Sequence, residues 1–203
     1  MRPPSCLLDP SAVLVADTSA AINLNATGCA PQILRALPNR LVLVDVVVAE
    51  LELGREKGRA DAGLTGKLVD AGFVDIVKLG ATGYQHFERL VISHAIDTLD
   101  DGEAATVAYA AEVGATAVID ERKANRICAT RFEKLATAST VDILAHAEIG
   151  KALGRENLAN AVFSALRDAR MRVLTHHLDW VLELIGRERA SQCSSLPRSA
   201  RTL

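Results

Sequence analysis

Short unbroken apolar runs alternate, over the first two thirds of the chain, with longer stretches whose apolar residues recur at helical spacing. The first run, 13–16, is continuous rather than alternating, as expected of a strand buried on both faces. Asp17-Thr18-Ser19 then opens a helical stretch over 17–26. A second apolar strand at 41–44 leads into a helix over 46–56. Another helix at 59–71 precedes a strand at 73–77. Helical spacing continues over 80–95 and, in an Ala-rich segment, over 101–113. A strand at 116–119 and a helix at 121–130 follow. Strands separated by helices in this rhythm predict βαβ units and a mostly parallel sheet. Beyond residue 140 the pattern is helical only, at 141–149, 157–167 and 175–185, and these helices are expected on the flank of the sheet or at an interface. The Pro-rich, aperiodic start predicts a loose arm over 1–12, and the Ser- and Arg-rich end predicts a disordered tail over 187–203. Between them lie an α/β domain, 13–150, and a helical extension, 151–186.

Composition sharpens this picture in three places. The chain has 203 residues, 49% hydrophobic and 24% charged, enough for a substantial core in one domain. Aromatics are only 3%, so Ala, Val, Leu and Ile must build that core, and base stacking on exposed rings is a poor option for any nucleic-acid binding. A formal net charge of -2 argues against nonspecific attraction to nucleic acid and leaves local basic patches as the electrostatic route. Cys6, Cys29, Cys128 and Cys193 are far apart and form no CxxC, which gives little support to zinc or redox motifs. The longest apolar run, 41–49, is interrupted by Asp45, and no secretory segment follows the start. The expectation is a reduced, cytoplasmic protein without a membrane span.

The acids carry the chemical interest. Asp17 directly follows the first strand and Asp120 directly follows the fourth. Groups at the carboxyl ends of strands line the ligand crevice of open α/β sheets, so neighbouring strands would bring these two carboxylates together. Each is also a reasonable helix N-cap, and capping does not exclude a second role. Glu50 has Val46, Val47, Leu53 and Gly54 at helical neighbour positions, which predicts a core-facing carboxylate. Such a group needs compensation: a bound cation, an internal arginine, or a path to water. Asp100, Asp101 and Glu103 begin the Ala-rich helix, where Asp100-x-x-Glu103 has the form of a capping box and acids suit the helix dipole. By spacing alone this cluster is equally a capping device and a site. Carboxylates from separated segments meeting at one edge would select Mg²⁺ or Mn²⁺ over zinc and suit phosphodiester hydrolysis. No histidine lies near these motifs; His86, His94 and His146 fall elsewhere, and His176 and His177 are expected on a helical surface. An aspartyl-phosphate mechanism at Asp17 ranks low, because DTSA lacks a second Asp two residues on.

The segments VLVADTSAAINL, VVVAELELGR, LDDGEAATVAYAAEVGATAVIDERKANR and TASTVDILAHA together resemble a PIN domain, the fold of many metal-dependent ribonucleases, including the toxins of toxin–antitoxin pairs. The Gly-Glu and Asp-Glu-Arg-Lys motifs are similar to a branch of bacterial and archaeal PIN proteins. The resemblance covers 13–186. It implies a three-layer α/β/α fold around a four- or five-stranded, mostly parallel sheet, with Mg²⁺ or Mn²⁺ at the acids and RNA cleavage leaving a 5′-phosphate. It also implies a homodimer and a possible antitoxin partner. The family's four acids fall on Asp17, Glu50, Glu103 (where many relatives carry Asp) and Asp120, and its small hydroxyl residue on Thr18 or Ser19. Asp100 and Glu121 become supporting candidates. The helical extension after Gly150 departs from the short toxins and argues against a free-standing toxin; a non-catalytic module binding RNA or protein is the alternative. Arg122, Lys123 and Arg126 could meet substrate phosphates, whereas Arg55, Lys57 and Arg59 are expected to be a solvated or ion-paired face.

Overall fold

The computed structural model describes residues 5–92 and 98–201. Its centre is a five-stranded, all-parallel sheet in the order β3-β2-β1-β4-β5. The strands are β1 (Leu14–Ala16), β2 (Leu41–Val44), β3 (Val74–Val77), β4 (Thr116–Val118) and β5 (Ala136–Ala138). β1 pairs on one side with β2, Leu14 opposite Leu41, and on the other with β4, Ala16 opposite Val118. Both faces are covered, as continuous apolar strands require. Leu14, Ala16, Leu41 and Leu43 point into one apolar core, and Val15, Val42 and Val44 into the other.

Helices α1 (Thr18–Ala26), α2 (Ala30–Ala36), α3 (Asp45–Glu56) and α4 (Asp61–Asp70) connect the first three strands; α5 (Ala81–Val91), α6 (Asp101–Val113) and α7 (Arg122–Arg131) follow. Two elements before the C-terminal helices were not predicted. β5 is three residues of Ala-Thr-Ala, too short and small to register as an apolar run, and α2 is two turns long with Pro31 at its start. The helical spacing over 80–95 yields α5 to Val91; its last residues and His94 lie outside the described residues.

After β5 come α8 (Thr140–Leu144), α9 (Ala147–Asp168), a 3₁₀ turn (Thr175–His177), α10 (Leu178–Ser191) and α11 (Arg198–Arg201). α9 packs on α1 and α2 and runs straight through residues 150 and 151, so the expected boundary between domain and extension does not exist there. Gly154, with φ of 72° and ψ of 163°, leaves the helical conformation and kinks α9 into two segments, in keeping with the two separate helical stretches of the sequence. Residues 187–201 are also ordered, contrary to the expected tail. Ala190 near the end of α10, Cys193 and Leu196 in the turns that follow, and Ala200 in α11 are buried in the core; the surrounding Ser and Arg obscure them in the sequence. Nor is the start a loose arm from residue 5 onward. Leu7 is buried, the Cys6 N–H donates to Asp142 Oδ1 (3.0 Å), and the Asn39 amide donates to the carbonyls of Asp9 and Ala12.

Candidate active site

Strand order reverses between β1 and β4: from β1 the chain builds outward through β2 and β3, from β4 the other way to β5. Such a switch opens a crevice at the carboxyl edge, because the connections leave in opposite directions. Asp17 follows β1 by one residue and Asp120 follows β4 by two, so both stand at the crevice, only 1% and 2% exposed.

Asp17 caps α1: its Oδ1 accepts the Ala20 N–H at 2.6 Å. Its Oδ2 is buried and meets no donor among the described residues. Burial pushes this carboxyl well above the usual carboxylate range, the nearby charge of Asp120 pushes it further, the Ala20 N–H opposes, and Glu103 and Glu50 add to the rise. A desolvated oxygen without a partner, in the field of three other acids, is a group that a cation stabilises.

Glu50 lies one and a half turns into α3, whose core contacts are Val47 and Leu51. Leu53 is 56% exposed, so the apolar neighbours of Glu50 do not define a core face; the carboxylate stands half-buried at the cleft wall. It is held from both sides. The Thr18 hydroxyl donates to Oε2, and the Gly102 N–H donates to Oε1 at 2.9 Å. A Cβ at position 102 would fall inside contact distance of Glu50 Oε2 and 2.6 Å from Thr18 Oγ1. Gly102 is therefore part of the site. The Gly-Glu pair in the sequence was the available signal.

Glu103 enters from the first turn of α6. Its carboxyl is pushed up to about 7 by burial and by Asp100 and Glu121, against the pull of the Asp100 N–H and of Lys123. Half of the expected capping box exists: Glu103 accepts the Asp100 N–H, but the Asp100 side chain caps nothing. Asp17, Glu50 and Glu103, with Thr18, Ser19 and Asp100, line one cleft of about 560 Å³. Arg59 lines it too, although it was expected on a solvated face.

Asp120 is different. Its oxygens accept the Thr140 N–H (2.8 Å), the Thr140 hydroxyl (2.6 Å) and the Asn23 amide (2.7 Å). It does not cap α7, whose N-cap is Glu121. Burial raises its carboxyl pKa while these hydrogen bonds oppose the rise. Asp120 thus ties the end of β4 to α1 and α8 behind Asp17. Neither Asn23 nor Thr140 had drawn notice in the sequence as a site partner.

A second cluster lies apart from the cleft. Asp142, His176 and His177 offer ligand atoms within 4.8 Å of one another. The Asp142 carboxylate is already engaged by the Cys6 N–H, by the backbone and hydroxyl of Ser139, and by His177 Nε2 (3.0 Å). Burial alone would raise its pKa, but His177 and Ser139 hold it below the usual range. This is a buried clamp joining the chain start, α8 and the C-terminal helices. His177, 0% exposed, is therefore not the surface residue expected from its helical setting; its ring is needed by Asp142.

The expected phosphate contacts separate. Lys123 is near enough to Glu103 to lower its pKa, and both Lys123 and Arg126 have partners within the protein. Arg122 lies on another groove, beside residues of the segments that link the C-terminal helices. Among the described residues, no helix is long and apolar enough to cross a membrane.

The family model of the PIN domain matches residues 13–187 of the chain. No curated protein matches it.

Proposed function

The chain belongs to the PIN-domain family, and on that premise we propose that it is a Mg²⁺- or Mn²⁺-dependent endoribonuclease acting at the cleft around Asp17. PIN domains are generally nucleases and typically use a divalent metal. The observation that carries the reading is Asp17 Oδ2, a buried carboxylate oxygen without a donor among the described residues, faced by the charges of Glu50, Glu103 and Asp120. The donors are oxygens only, which fits a hard cation. Asp17, Glu50 and Glu103 would hold the ion, with Asp120 adding charge from behind. When bound, a divalent ion neutralises phosphodiester charge and eases deprotonation of an attacking water. The protein's own part is positional. Thr18 and Gly102 fix the Glu50 carboxylate, and Asn23 and Thr140 fix Asp120. Ser19 and Arg59 stand where a substrate phosphate would enter.

The test is cleavage of labelled RNA in the presence and absence of Mg²⁺ or Mn²⁺. Asp17→Asn should lose at least about a hundredfold in rate, the scale of removing a charge-stabilising group, with an unchanged circular dichroism spectrum. Undiminished cleavage by that variant, or by wild type in EDTA, refutes the proposal. A second reading, a non-catalytic module that binds RNA or protein, draws support from the full hydrogen bonding of Asp120. It predicts no calorimetric binding of Mn²⁺ at millimolar concentration. On the first reading a homodimer and an antitoxin partner are also proposed, to be tested by light scattering and by co-purification from the source cells.

A further inference from the structure

The C-terminal helices do more than cover the sheet. A groove of about 780 Å³ runs between the start of α7 and the segment after α9, lined by Arg122, Arg170 and Arg172 and walled by Ser194 and Ser195. All three arginines are exposed. Arg172 pairs with Glu121, which adjoins Asp120 and contributes to the field at Glu103, so the groove begins beside the acidic cleft. Arg122 and Arg170 have no ion pair among the described residues.

Arg170 is unusual in its backbone. With φ of 56° it is the sole non-glycine residue in the left-handed region among those described. It lies just past the end of α9, where the Met171 N–H closes on the Ala165 carbonyl at 3.0 Å. Glycine is the default residue at such a helix end, because a side chain there is strained. Here the position carries a cation that faces two others. In a chain of net charge -2, this is a concentrated positive surface next to the candidate catalytic cleft.

We propose that this groove binds the phosphodiester backbone of single-stranded RNA, with Arg122 and Arg170 contacting phosphates flanking the one at the acidic cleft. The inference rests on the ribonuclease reading above. It gives the C-terminal part of the chain a role in substrate binding: the segment after α9 supplies Arg170 across the groove from Arg122 of α7 and holds Arg172 against Glu121. Guanidinium groups suit this task because their planar donor fork matches phosphate oxygens.

The experiment measures binding and cleavage separately. Fluorescence anisotropy of a labelled single-stranded RNA in EDTA, across a NaCl series, compares wild type with Arg170→Gly/Arg122→Gln. Removing two phosphate contacts should weaken binding about tenfold or more at 0.1 M NaCl and reduce the log–log salt slope by about 1.4, at about 0.7 per contact on a single strand. With Mn²⁺, KM for the same RNA should rise by a similar factor while kcat stays within about twofold, and hydrolysis of bis(p-nitrophenyl) phosphate, too small to reach the groove, should not change. Arg170→Gly alone should melt no lower than wild type, since glycine accepts the left-handed backbone, so weak binding would not reflect unfolding. An unchanged salt slope and KM in the double variant overturn the groove while leaving the nuclease reading intact. A wild-type protein without any metal-dependent cleavage, but with the arginine-dependent slope, would instead retain the groove and remove the nuclease.

Discussion

Gly102→Ala isolates the position of one carboxylate from the stability of the fold. Residue 102 is in the first turn of α6, where alanine is compatible with the backbone and normally stabilises a helix by up to about 1 kcal/mol. Its new methyl, however, would stand 2.6 Å from Thr18 Oγ1, about 0.8 Å inside the 3.4 Å at which ordinary contact begins, and closer still to Glu50 Oε2. Both obstructing atoms are at the ends of side chains, so they move rather than the backbone. The cost falls on Glu50, which is pushed from the cleft wall and separated from the Thr18 hydroxyl and the Gly102 N–H that fix it. Losing a hydrogen bond to a charged group costs about 1.5–3 kcal/mol when the group stays dry; water reaches half-buried Glu50 and returns most of this. The net change in stability should therefore lie within about 1 kcal/mol, a shift of about 2–4 °C in melting temperature for a chain of this size. The rate should suffer far more, since displacing a catalytic group by roughly 1 Å costs about a hundredfold. Thermal melting followed by Mn²⁺-dependent RNA cleavage tests both halves. A Gly102→Ala protein that melts normally and cleaves within about threefold of wild type would refute the assigned position of Glu50.

Three further outcomes follow from the buried charges and the ordered ends. His177→Ala should lower the unfolding free energy in urea by about 2–4 kcal/mol, because it removes a fully buried ring and leaves Asp142 short of a donor; a loss below about 1 kcal/mol would contradict the clamp. The pH dependence has two opposite parts. Asp142, held below its ordinary range, contributes stability present above about pH 4 and lost as pH falls through its lowered folded value. Asp17 and Glu103, raised above theirs, make the metal-free protein less stable as pH rises from about 4.5 toward 7. Melting curves from pH 5 to 8 should therefore decline in EDTA, decline less in Glu103→Gln, and recover with Mn²⁺. Truncation after Gly186 strips Ala190, Cys193, Leu196 and Ala200 from the core, a loss of several kcal/mol at about 1.5–3 kcal/mol for a leucine-sized side chain, and should lower the melting temperature by about 10 °C.

The apolar runs were enough to locate four of the five strands, because strands buried on both faces leave a continuous signal that no surface helix imitates. The same signal placed Asp17 and Asp120 at strand ends, and the structure joins those ends at the switch between β1 and β4. What the sequence obscured had tertiary causes. Asp17 and Asp120 occupy equivalent positions in the pattern, yet one keeps an oxygen without a donor and the other is satisfied by Asn23 and Thr140, partners more than a dozen residues away. Glu50 is held by residues from two other elements, which no local spacing encodes. The end of the chain looked disordered because serines and arginines fill the positions between its buried residues, and His177 looked superficial because its partner is 35 residues distant.

The central claim is that the carboxylates of the Asp17 cleft hold a divalent cation. A crystal soaked in MnCl₂ and measured at a wavelength where manganese scatters anomalously tests it directly. The account predicts an anomalous peak within coordination distance, about 2.1–2.3 Å, of Asp17 Oδ2 and of at least one oxygen of Glu50 or Glu103. A protein that takes up manganese only beside Asp142, His176 and His177, with nothing at Asp17, would contradict it.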